Sequence, residues 1–366
     1  MSATPPPPPQ YAPPPPLPQY PASEGRSVSF FVALFLALLL LISGGANIVL
    51  LFYSAIGGTM SMAEAAIEDS DAGYRVVAVS GTKGAKDRIL RIRIEGAITE
   101  GASPMMGAMG GTVSQVRRNL RLAAKNDAIK GVLLEINSPG GGVTDSDEIH
   151  RLIKEFRSNE EKPVIAYFGD MSASGGYYIA AACDKIYCRP TTITGSIGVI
   201  MSSYNLTEAF KLVGIKSETI ISPDTPYKDI MSMSRDMRPE EREILLSIIQ
   251  EMYDRFVDIV DAGRPDLDRY AVKKLANGQI YSANQAKENG LVDDILDPDE
   301  VIEKIKEIAG TGKVQIVEQR RLPSLMETLI GTPGVVTRTP SLADTAARYL
   351  NQTTGSKFLY FWPGGR

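Results

Sequence analysis

The sequence predicts an α/β fold with a largely parallel sheet, and two observations carry that prediction. From about residue 130 onward, short apolar runs alternate with amphipathic helical segments, the pattern of successive βαβ units. Three Gly-rich bends, Asn137–Gly142, Ala173–Gly176 and Thr194–Gly198, fall at the ends of predicted strands. Open α/β sheets collect their sites outside the carboxyl ends of strands.

Taken in order, residues 1–27 form a Pro-rich tail, with prolines at 5–9 and 13–16. Such a tract cannot bury a core and reads as an extended, polyproline-like segment. No charged residue occurs from Ser27 to Ala63. Within that stretch residues 28–56 are apolar enough, and long enough, to cross a bilayer once, so a single transmembrane helix in contact with membrane lipid is expected there. A cleaved signal peptide competes, since Ala63-Glu64-Ala65 resembles a small-residue cleavage site. The apolar stretch is longer than a signal h-region and lies well inside the chain, which favours an uncleaved anchor. Arg26, the only nearby positive charge, favours the N-terminus inside and the large remainder outside the cytoplasm. Residues 57–73 read as a linker.

The folded part begins near Tyr74. Arg75–Val79 and Ile89–Ile94 read as strands, the second with clean alternation. Gly101–Gly111 is a loop rich in Gly, Met and Ser. Thr112–Asn126 is predicted helical, with Val113, Val116, Leu120 and Ala124 along one face. The strand Gly131–Ile136 precedes the first Gly-rich bend, and a helix over Asp145–Arg157 buries Ile149, Leu152, Ile153 and Phe156. Acidic residues in its first turn suit the helix dipole. Then follow a strand at Pro163–Phe168, the Ser174 turn, an Ala-rich helix and a strand at Lys185–Cys188. A long helix opens at Pro239 and runs to Ala262, with Ile244, Leu245, Ile248, Met252, Phe256 and Ile259 at its apolar positions; Ile302–Ala309 is a short one. From Val314 the pattern assigns no fold.

Composition excludes several classes. The net charge is −4, so no basic patch argues for nucleic acid. Cys183 and Cys188 would point to opposite faces of one strand, so they read as buried thiols rather than a disulfide or metal pair. No cofactor-binding pattern stands out. The single histidine, His150, sits beside the buried stripe of its helix and reads as a surface or edge residue.

The stretch Met171-Ser-Ala-Ser-Gly-Gly-Tyr-Tyr178 carries the chemistry. A hydroxyl residue followed by two glycines suits a sharp strand-to-helix turn whose free N–H groups can face a developing oxyanion. Alone, the octapeptide reads first as a Gly-rich turn with a buried serine. If Ser174 is a nucleophile, the lone His150 is poorly placed as its base. A lysine can serve instead, but only when neutral. Lys228, in a turn-rich loop ahead of Ile230 and Met231, reads on the residues alone as a solvated surface lysine. Ser138 reads as shaping its turn, Asp170 and Asp229 as solvated charge, and Tyr177 and Tyr178 as packing behind the serine. The aromatics of Phe358–Trp362 read as packing, membrane-interface or groove residues.

The order of motifs resembles the signal peptide peptidase A family of the Clp-protease/crotonase superfamily. The matching pieces are Ile136–Gly142, Glu148–His150, Met171–Tyr178, Thr194–Ile200, Lys228–Ser232, Ser234–Met237, Phe256–Ile259 and Gly278–Lys287. The likeness covers about residues 85–300 and implies a Clp-protease/crotonase-like core, with a serine peptidase domain over 74–300 and residues 301–366 as a C-terminal extension. It implies Ser174 as nucleophile, Lys228 as general base, Ser196 as the hydroxyl that orients the lysine, and Gly141 as oxyanion-hole donor with Gly175 as a second. It further implies apolar signal-peptide remnants as substrates and a homo-oligomeric ring whose subunits share sites. The expected location is the bacterial cytoplasmic membrane, with the catalytic domain on its extracytoplasmic side. Other readings are a general envelope or membrane-protein quality-control protease, a crotonase-like acyl-CoA enzyme, and a non-catalytic scaffold. The acyl-CoA reading needs acidic catalysts and an adenine-phosphate pocket that the sequence does not offer.

Overall fold

The computed structural model describes residues 73–100, 111–322 and 359–361, besides Phe35–Ala37, Leu40 and Ser43. The chain divides into two compact units, Met1–Ala72 and Gly73–Arg366, and the elements that follow belong to the second. The Pro-rich tail, and all but a few positions of the expected anchor (28–56) and linker (57–73), lie outside the described residues. Among the described residues no helix is long and apolar enough to cross a membrane.

The chain order is β1 (Tyr74–Gly81), β2 (Asp87–Glu95), α1 (Thr112–Lys125), β3 (Ile129–Ser138), β4 (Gly140–Gly142), α2 (Val143–Asn159), β5 (Val164–Ala173), α3 (Gly175–Ala180), β6 (Lys185–Cys188) and β7 (Ile193–Gly195). Then come α4 (Thr207–Leu212), α5 (Pro239–Gly263), α6 (Arg269–Leu275), β8 (Ile280–Ser282), α7 (Ala283–Glu288), β9 (Asp294–Ile295), α8 (Pro298–Ile308), β10 (Val314–Arg321) and β11 (Leu359–Phe361). The main sheet runs β1-β10-β2-β3-β5-β6-β9, with β7 joining β5 and β8 pairing β7. Its pairings are parallel except at the edges, β1 with β10 and β7 with β8. The expected α/β class is therefore observed, as a mixed sheet.

Alternation along the strands divides the core between the two faces. Leu90, Ile92 and Ile94 of β2, Val132, Leu134 and Ile136 of β3, and Val164, Ala166 and Phe168 of β5 pack with α1, α2, α3 and α5. Ile89, Leu133, Ile165 and Tyr167 face the other way, against Val301 and Ile305 of α8. Burial on both faces explains why β3 and β5 read as nearly continuous apolar runs. In β2 the second face also carries Arg91, which pairs with Glu318 of β10 at 2.7 Å.

Helix ends follow local chemistry. Ser282 caps α7 by accepting the Gln285 N–H, Asp268 caps α6 by accepting that of Ala271, and Pro239 and Pro298 open α5 and α8.

Two expectations need correction. The sequence reading left residues 301–366 outside the core, yet α8 covers the second face and β10 lies between β1 and β2. The strand is buried on both faces over Ile316–Glu318, its C-terminal half is polar, and its partners are more than two hundred residues away. The N-terminal half of α5 is not fully buried: Ile244 and Leu246 are exposed, whereas Phe256, Val257 and Val260 are in the core. Only the second half of this helix reaches the sheet-covering cluster.

His150, expected at the surface, is 5% exposed. Its ring packs edge-on against Tyr178, with centroids 5.4 Å apart. Burial, the largest cause, together with the nearby Lys154, lowers its pKa from the ordinary 6.5 to about 4, against the opposing pull of Asp147. The folded state thus holds a neutral imidazole where the unfolded chain binds a proton below pH 6.5. Stability is present in full above that pH and falls as the pH drops towards 4. Between pH 7 and 4.5 the wild type is expected to lose about 2–3 kcal/mol more stability than a His150→Gln variant. Denaturant titrations at the two pH values check this, and equal losses would rule it out.

Candidate active site

At the end of β5 the chain turns sharply into α3, and Ser174 occupies the turn. Its φ of 52° and ψ of −113° lie outside the regions open to L-residues, a conformation that costs about 1–3 kcal/mol. Packing and hydrogen bonds hold it there. The Ser174 N–H donates to the Gly195 carbonyl at the end of β7, 2.8 Å away, and its own carbonyl accepts the Tyr178 N–H at 2.9 Å. A Cβ on Gly176 would sit 3.1 Å from Ser172 Oγ and 3.2 Å from the Ser138 carbonyl, so the turn seats closely on the β3–β4 bend. Behind it, Tyr177 and Tyr178 are fully buried. Their hydroxyls donate to the Leu291 carbonyl at 2.8 Å and to Asp147 at 2.5 Å. Burial pushes the Tyr177 phenol well up, which keeps it protonated as a donor.

The Ser174 hydroxyl oxygen is buried and has no hydrogen-bond partner among the described residues. Buried polar atoms are almost always satisfied, so an orphaned hydroxyl at a strained turn requires an explanation. The first helical turn also leaves the N–H groups of Gly175, Gly176 and Tyr177 without intrahelical acceptors.

The β3–β4 bend supplies the facing wall. Ser138 Oγ accepts the Gly140 N–H at 3.1 Å, the turn-shaping role read from its sequence context. Ile98 brackets the glycines: its N–H donates to the Gly140 carbonyl and its carbonyl accepts the Gly142 N–H, both at 3.0 Å. A Cβ on Gly141 would lie 2.0 Å from the Ile98 carbonyl oxygen, so no side chain fits there. On the other side, β11 pairs antiparallel with β4, Tyr360 opposite Gly141 and Phe361 opposite Gly140.

Ser196 follows β7 directly, so the Ala173–Gly195 register and the Ser174–Gly195 hydrogen bond bring it beside the serine turn. It is 8% exposed, and its N–H donates to the Gln279 carbonyl at 2.7 Å. Lys228 stands apart. It is exposed in a run of turns, and no side-chain hydrogen bond or ion pair joins it to Ser174 or Ser196 among the described residues. Asp229, read as solvated charge, instead pairs with Arg235 at 2.8 Å. Cys183 and Cys188 are free and buried.

Among the described residues only Ser174, Ser196 and Met231 adopt positive φ without being glycine. All three fall in the segments that carry Ser174, Ser196 and Lys228. Strained backbone of this kind clusters at functional sites. Sequence reasoning missed Ile98 as the strap over Gly141. The run of three glycines was the available signal, because close backbone approach is what it permits.

Residues 156–312 match peptidase family S49, and residues 107–201 match the Clp protease family. The chain is 36% identical over 234 residues to a putative signal peptide peptidase SppA of Enterococcus faecium, covering 64% of this chain and 67% of that protein. It is 41% identical over 208 residues to the putative protease slr0021 of Synechocystis sp., covering 57% and 69%. Among solved structures, a ClpP1 variant from Listeria monocytogenes superposes with a TM-score of 0.37 at 20% identity, over 57% of this chain and 92% of that one.

The strain at Ser174 has a measurable consequence. Glycine tolerates its φ and alanine does not, while both lack the hydroxyl. Ser174→Gly is expected to be more stable than Ser174→Ala by about 1–2 kcal/mol after the entropic cost of glycine is subtracted. Denaturant unfolding compares the two, and an alanine variant of equal or greater stability would remove the case for strain.

Proposed function

The chain belongs to peptidase family S49 and is a serine peptidase, and from that premise we propose a membrane-anchored endopeptidase that degrades cleaved signal peptides and similar apolar peptides. The observation that carries the reading is the buried, partnerless Ser174 hydroxyl on a strained strand-to-helix turn. Ser174 is the nucleophile and Lys228 the general base. Ser196 orients the lysine, and the N–H groups of Gly141 and Gly175 form the oxyanion hole. Residues 28–56 hold the enzyme to the cytoplasmic membrane, with the peptidase domain on the extracytoplasmic side.

In the reaction, Lys228 Nζ takes the Ser174 hydroxyl proton as Oγ attacks the scissile carbonyl carbon. The resulting oxyanion is held by the two amides. As the C–N bond breaks, the lysine ammonium returns that proton to the leaving amine, which leaves an acyl ester on Ser174. A water then passes a proton to Lys228 and attacks the ester; breakdown of the second intermediate releases the acid and restores the serine.

An extended substrate adds a strand along β4. Leu359–Phe361 occupies that edge, pairing with Gly140–Gly142, while Ile98 holds the other; the substrate strand takes the place of β11, using the backbone groups that β11 now uses. A groove of about 510 Å³ beside Ser196, lined by Ile197, Val199, Ile200, Ile249 and Tyr253, suits the Leu and Ala side chains of signal peptides. Exposed Ile200, Tyr204, Leu212, Val213, Ile215 and Ile220 support an assembly in which a second copy covers this region and completes the site around Lys228.

The test is fluorophosphonate labelling of the full detergent-solubilised chain, with the adduct mapped by mass spectrometry. A single adduct on Ser174 is expected, absent in Ser174→Ala and formed at least about 100-fold more slowly in Lys228→Ala. Wild-type labelling of Lys228→Ala would exclude the dyad. Cleavage of a synthetic signal peptide over a polar peptide of equal length checks the substrate class; equal turnover would favour general envelope degradation.

A further inference from the structure

Lys228 lies in a run of turns between Pro223 and Arg235 rather than on a helix or strand, yet both of its flanks are held. On one side, Asp229 takes a two-pronged hydrogen bond from Arg235, whose Nε and Nη2 each lie 2.8 Å from a carboxylate oxygen. On the other side, the Arg238 guanidinium stacks over the Tyr227 ring, 5.5 Å from its centroid, and donates to the Pro226 carbonyl.

The two arginines converge on one carboxylate. Arg235 donates to Glu241 from Nη2 at 2.6 Å and from Nη1 at 2.9 Å, and Arg238 donates to it as well. Glu241 also accepts the Arg238 backbone N–H at 2.9 Å. It is fully buried in the first turn of α5. A buried carboxylate is tolerable when charged donors surround it in this way, and bidentate arginine pairs fix geometry as well as charge.

Two residues beyond Asp229 the backbone is strained. Met231 has a φ of 67°, which a non-glycine residue keeps only where its surroundings over-determine it. The Ser232 N–H donating to the Asp229 carbonyl at 2.9 Å, and Arg235 Nη2 reaching that same carbonyl at 3.3 Å, close the turn.

We infer that Glu241, acting through Arg235 and Arg238, is a positioning residue for the base: it anchors the residues on either side of Lys228 to the first turn of α5, so that the amine arrives at the serine along one path. The inference rests on the reading of Lys228 as general base. Its rival is that Glu241 only caps α5 and stabilises the fold.

Labelling kinetics separate the two. The final amount of fluorophosphonate adduct counts competent sites, whereas the rate constant reports the reactivity of each. In the full solubilised chain, Glu241→Gln is expected to reach a wild-type endpoint with a rate about 10- to 100-fold lower. Arg235→Lys, which keeps the charge but loses the fork, is expected to fall between. Peptide turnover should show the loss in kcat, with KM within about twofold. A lowered endpoint at an unchanged rate would mean that Glu241 is structural and would overturn the inference. Should Glu241→Gln fail to fold, an unchanged rate in Arg235→Lys overturns it equally. Lys228→Ala, run alongside, keeps the premise separate: a wild-type rate there removes the dyad itself, whereas a slow rate there beside normal Glu241 and Arg235 variants removes only the positioning role.

Discussion

The backbone of Ser174 is held in a conformation it would leave if released. The hydrogen bond from its N–H to the Gly195 carbonyl is the restraint that ties the strained residue to the neighbouring strand. It works only because β5 and β7 run parallel and end at the same level, Ala173 opposite Gly195. A parallel register in turn depends on crossover segments and on burial of both sheet faces. The serine turn thus draws on the stability of the whole domain. The two buried tyrosines behind it, tied to Leu291 and Asp147, add packing that resists relaxation.

The wall facing the serine is made of backbone. Gly141 has Ile98 on one side and β11 on the other, and a Cβ placed on it would lie 2.0 Å from the Ile98 carbonyl oxygen, which leaves no room for any other residue. Glycine is therefore required here by a close contact rather than by flexibility. At Gly195 a positive φ of 85° adds the second reason.

The α/β class, the βαβ order and the serine turn were legible in the residues, because period-two and period-3.6 patterns and a Ser-Gly-Gly bend each have a local cause. The long helix opening at Pro239 was legible for the same reason. Other features were not. β10 has a short apolar start and a polar end with no clean alternation, and its place between β1 and β2 is a pairing across the length of the domain. His150 lies next to a buried stripe, and whether it is covered depends on Tyr178 arriving from a helix further along the chain. Asp229 looks solvated until Arg235 and Glu241 fold around it.

By itself the sequence determined the chemistry available: one histidine badly placed for a triad, a serine before two glycines, a lysine in a turn-rich loop, and glycines where strands end. These are properties of local spacing, and local spacing survives without coordinates. Tertiary structure alone decided which groups meet. It set Ser174 against Gly195, strapped Ile98 over Gly141, laid Leu359–Phe361 on β4, and gathered two arginines on Glu241 beside Lys228. All but the last of these contacts join elements that lie apart in the chain or fix a backbone angle that local preference opposes; the arginine cluster spans three to six residues and forms where the turn meets α5. Only the free energy of packing the whole domain supplies that.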